Sequence, residues 1–69
     1  MEKLERFVMS CLRDCANATS RKEIWMHQAF GAVQYHILLL PEDYEMVEEL
    51  WNKYKPQFER KVYGVSFEL

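Results

Sequence analysis

The sequence predicts an all-α fold, a compact three-helix bundle with helices over about 2–17, 20–40 and 42–62 and a short extended segment at the C-terminus. Three observations predict it. Apolar residues recur at spacings of three and four over most of the chain, helix-start signals stand at Ser20 and Pro41, and only two glycines and two prolines interrupt 69 residues.

In the first helix Leu4, Phe7, Val8, Cys11, Leu12 and Cys15 fall on one face, while Glu5, Arg6, Arg13 and Asp14 fall elsewhere. Asn17 ends the element, since asparagine tolerates the left-handed backbone that often terminates helices.

Ser20-Arg21-Lys22-Glu23 has the form of a capping box, with the serine hydroxyl and the glutamate carboxylate each satisfying the other residue's backbone N–H. The second helix therefore runs from Ser20 to about Leu40, before Pro41. At 100° per residue its main apolar arc is Met26, Ala29, Phe30, Val33, Ile37 and Leu40. Trp25, Ala32, His36 and Leu39 lie beside that arc. A further line, Ile24-Gly31-Leu38, lies almost opposite, so the helix is apolar over more of its circumference than one neighbour can cover. Gly31 and Ala32 together make a notch for close approach.

Pro41-Glu42-Asp43 opens the third helix, where acidic side chains suit the positive end of the helix dipole. Its stripe is Tyr44, Val47, Trp51, Tyr54 and Phe58, flanked by Leu50, and Glu49–Lys53 is an i,i+4 ion pair on its outer side. The stripe stays in phase through Pro56 to Val62, which predicts a kink at the proline and not a stop. Beyond Gly64, Val65-Ser66-Phe67-Glu68-Leu69 alternates with period two, an extended pattern too short to stand alone.

A chain of 69 residues is a single domain, 1–69, near the lower limit for a core without a disulfide or metal. With 49% hydrophobic and 29% charged residues it is globular and not disordered. A net charge of −2 offers no general attraction for nucleic acid or an anionic membrane. No apolar run is long enough to span a bilayer, and the charged Met1–Arg6 segment lacks a signal peptide's apolar stretch. Cys11 and Cys15, four apart on one helix, are read as reduced thiols, which with the missing signal sequence places the protein in the cytoplasm.

Cys11, Cys15, His27 and His36 are the residue types of a zinc site, but nine residues on one helix set the two histidines on opposite faces. The cysteines fit a core role as small hydrophobes, and no metal is expected. Glu23 and His27 are i,i+4 neighbours with no nucleophile or second carboxylate spaced to join them, so they read as an exposed pair and not a catalytic dyad. His36 beside the apolar arc is expected partly buried with one nitrogen bonded. Trp51, Tyr44 and Tyr54 are expected in the core and not as a base-stacking platform.

These readings lead to a non-enzymatic interaction or regulatory module, without cofactor, that pairs with itself or with another protein. The candidate interface is Ile24, Trp25, Gly31, Ala32, Leu38, Leu39, Val65, Phe67 and Leu69. The alternative is a helix-turn-helix DNA-binding regulator that presents Arg21 and Lys22 at a helix start. Against it stand the apolar character of that helix and the acidic run Glu42, Asp43, Glu45, Glu48 and Glu49.

Overall fold

The computed structural model describes residues 1–65 and has an all-α architecture. Helix α1 spans Glu2–Asn17, α2 spans Glu23–Leu39, Pro41–Asp43 makes one 3-10 turn, and α3 spans Tyr44–Tyr63. The Val65-Phe67-Leu69 alternation falls mostly outside the described residues; Val65 is exposed.

The apolar periodicity produces the core directly. Val8, Cys11 and Cys15 from α1 meet Ala29 and Val33 from α2 and Val47, Leu50, Tyr54 and Phe58 from α3. Leu4, Leu12, Trp25, Met26, Ile37, Trp51 and Val62 close around them. Phe30 and Phe58 both lie against Trp51, with ring centroids 5.5 and 5.8 Å away. The Phe30–Trp51 pair holds α2 to α3 beyond simple area burial, while Trp51–Phe58 packs along α3 itself.

Several boundary residues depart from the expected stripes. Phe7, Phe30, Leu40 and Tyr44 are exposed, while Leu50, expected as a flank, is buried. Phe7 is one step, or 100°, around the helix from fully enclosed Val8, and the core centres on the Val8-Cys11-Cys15 line. Tyr44 and Leu40 stand at the ends of their elements, beyond the overlap of the three helices.

The junction between α1 and α2 also differs. Asn17 remains helical and Ala18 is extended, with its N–H on the Cys15 carbonyl at 3.3 Å. No capping box forms: α2 begins at Glu23, Lys22 precedes it, and no side chain caps it. The chain reverses through Arg21, whose φ of 53° is left-handed. Backbone bonds from Ile24 N–H to the Arg21 carbonyl (3.1 Å) and from Trp25 N–H to the Lys22 carbonyl (3.2 Å) then start the helix. The turn is thus made three residues later than the serine signal suggests.

Helix α3 passes through Pro56 without a stop. Proline removes one N–H from the ladder, and in the disturbed turn the Gln57 side-chain amide donates to the Lys53 carbonyl at 3.3 Å. Gly64, at φ 84°, ends the helix with its N–H on the Arg60 carbonyl at 3.0 Å.

Candidate interaction surface

The molecule is flat, with principal extents of 36 × 25 × 16 Å. The three helices touch one another pairwise, and two neighbours leave part of the α2 circumference uncovered. Its arc through Ala29 and Val33 meets the core, and the opposite line faces outward. Leu38 is 76% exposed, Leu39 58% and Ile24 41%, and Tyr35, which the sequence reading had not singled out, is 61% exposed between them. Gly31 lies in the middle of this line and is exposed.

The expected interface residues therefore divide. Ile24, Gly31 and Leu38 share the outer face of α2, Leu39 is exposed at its C-terminal end, and Trp25 and Ala32 are half-buried, with Trp25 packed on the core. Leu39 continues the Trp25-Ala32 line, seven residues after Ala32, and is exposed as the last residue of α2. Phe67 and Leu69 lie outside the described residues.

His36 and Asp43 brace the end of this face. The His36 Nε2 and Asp43 Oδ2 atoms are 2.8 Å apart, both side chains half-buried, which ties α2 to the 3-10 turn. Leu39, Leu40 and Pro41 are held outside that clasp.

A second feature is a shallow groove of about 290 Å³ between α2 and α3, lined by Met26, His27, Phe30, Trp51 and Lys55. It sets one imidazole and one ammonium over an apolar floor. His27 is exposed there, and among the described residues it makes no bond to Glu23. Cys11 and Cys15 are free thiols inside the core, and burial pushes both above the ordinary thiol range. The Cys15 thiol donates to the Lys22 carbonyl at 3.4 Å, within the α1–α2 junction. Among the described residues no three His, Cys, Asp or Glu side chains converge as metal ligands, and no helix is long and apolar enough to cross a membrane.

Charges are distributed in local pairs. Glu2 holds Arg6 at 2.6 Å and Asp14 meets Arg13 at 3.3 Å. The expected Glu49–Lys53 pair is absent among the described residues; Lys53 reaches instead to Glu5 on α1, at 3.4 Å. Tyr54 already brings its hydroxyl to the same carboxylate, which draws the neighbouring lysine toward α1. Glu45, Glu48 and Glu49 remain exposed along α3. Arg21 is exposed at the junction, and Lys22 beside it is half-buried.

These features define a small all-α protein of three helices with an uncovered apolar face on the second. Compared with protein-family models, curated proteins and solved structures, the chain finds no match in any of the three.

Proposed function

We propose that this protein is a non-enzymatic interaction module that self-associates through the outer face of α2, in a reducing, cytoplasmic setting that keeps Cys11 and Cys15 as thiols. The observation that carries the reading is the outward display of Ile24, Tyr35 and Leu38 on one helix face of a 69-residue chain, with Leu39 exposed at its end. Contiguous exposed apolar surface of this kind marks an interaction site.

Size decides how strong the contact is. A helix of 17 residues offers a face roughly 25 Å long and 10 Å wide, so pairing it covers on the order of 500 Å² per chain with the residues that flank it. Stable complexes bury about 800 Å² per partner. The proposed dimer is accordingly weak, with a dissociation constant in the micromolar range. DNA binding gains nothing comparable: the two turns after Lys22 carry Ile24, Trp25, Met26, Ala29 and Phe30, and no basic side chain extends the patch.

Sedimentation equilibrium from about 1 to 500 µM spans the dissociation constants expected for an interface of this size. A concentration-dependent dimer for the wild type, and a folded monomer for Leu38→Glu, is the expected result. A monomer mass at every concentration overturns the reading.

A further inference from the structure

We infer that two copies pair α2 against α2 in antiparallel sense about a two-fold axis at Gly31; this rests on the self-association proposed above and specifies its geometry. The starting point is a glycine that the monomer does not use. Gly31 sits inside a helix, where glycine is less stable than alanine. Among the described residues, a methyl group at that position would meet no atom within 4 Å beyond its chain neighbours and its own helix backbone. Neither a turn nor a close intramolecular contact accounts for it. Another backbone lying across the exposed face does, because only a residue without a side chain lets two helix axes come together there.

The positions around Gly31 fit a two-fold axis. Gly31 is the midpoint of Glu23–Leu39, with Ile24 seven residues before it and Leu38 seven after. In an isologous contact a residue i meets residue j of the partner while j meets i, and only a residue on the axis meets its own counterpart. Antiparallel pairing centred on Gly31 therefore seats Ile24 against the partner's Leu38 at both ends of the seam. On one flank Gln28 meets the partner's Tyr35, and on the other His27 meets the partner's Gln34, so amide, hydroxyl and imidazole groups rim an apolar centre as interfaces generally do.

Charge selects the direction. Arg21 lies ten residues before Gly31, and Pro41 and Glu42 lie ten and eleven after it. Antiparallel copies bring the Arg21-Lys22 start of one α2 to the acidic 3-10 turn at the end of the other. Parallel copies would set Arg21 and Lys22 against their own counterparts, and Glu42 against Glu42. Like charges placed together suppress the wrong register.

Two measurements on the full chain test the geometry separately from self-association itself. In sedimentation equilibrium Gly31→Leu should weaken the dimer at least tenfold, while its melting temperature stays at or above the wild-type value, since leucine favours helix and has open space. For register, Ile24→Cys and Leu38→Cys variants are oxidised alone and as a mixture, and the links are located by peptide mapping. Rapid 24–38 linkage in the mixture only is expected. A wild-type dimer that survives Gly31→Leu, or that links 24 to 24 and 38 to 38, overturns the antiparallel geometry and leaves self-association standing. A wild-type monomer throughout removes both.

Discussion

Tyr54 donates its hydroxyl to Glu5 Oε2 at 2.8 Å, joining α3 to α1 across 49 positions of the chain. Lys53 Nζ lies 3.4 Å from the same oxygen. The Tyr54 hydrogen bond first, and Lys53 second, hold the Glu5 carboxyl below its ordinary value of 4.5. Tyr54 titrates above its ordinary 10.0 because it is buried and faces that carboxylate.

The sign of the pH dependence follows. A carboxyl whose folded-state pKa is depressed stabilises the fold above the unfolded-state value, and that contribution is lost as pH falls through the folded-state value. Thermal melts taken from neutral pH down through 4.5 should show the wild type losing more stability than Glu5→Gln or Tyr54→Phe. Since every other carboxyl is common to all three proteins, parallel curves across that window would mean that the Glu5 contact contributes nothing to folding.

Cys11 and Cys15 are buried, and burial raises both above the ordinary thiol value of 9.0. The thiolate is the reactive form, so disulfide reagents at neutral pH should modify the native protein slowly and the denatured protein at once. Modification rates should rise with denaturant in step with unfolding. Fast labelling of both residues under native conditions would contradict the enclosed core.

Trp51 is half-buried but stands between Phe30 and Phe58. Trp51→Ala removes both ring contacts and opens the α2–α3 groove. In cores such changes cost about 3–5 kcal/mol, and the exposed edge of Trp51 places the expected loss near the lower figure. For a domain of this size that lowers the melting temperature by more than ten degrees, readable by circular dichroism. A melt within a few degrees of the wild type is the contrary result.

Arg21 and Gly64, both left-handed, respond in opposite ways. Gly64 at φ 84° ends α3, and Gly64→Ala should cost about 1 kcal/mol through steric strain. Arg21 carries a side chain at φ 53°, so Arg21→Gly or Arg21→Asn should leave stability unchanged or raise it by up to roughly 1 kcal/mol. Ser20→Ala should be nearly silent because no side chain caps α2. A loss of the full 1 kcal/mol typical of a removed cap would show that Ser20 does cap in solution.

Periodicity carried most of the fold: the Val8-Cys11-Cys15, Ala29-Val33 and Val47-Tyr54-Phe58 lines were visible as helix faces, and each is buried. That α2 carries more apolar circumference than its neighbours cover was equally visible, because apolar residues stand on opposite sides of it. Local pattern failed where the competing partner was distant in sequence. Lys53 has Glu49 one turn away, yet meets Glu5, and nothing near residue 53 announces it. Ser20 carries a capping signature that the reversal at Arg21 overrides, since the chain must fold back between α1 and α2 within residues 18–22. Which of the apolar lines on α2 faced out, and that Trp25 packed on the core while Tyr35 did not, depended on how α1 and α3 lie against it. Sequence spacing determines angles around each helix axis; only the packing of the three axes against one another decides which of those angles water sees.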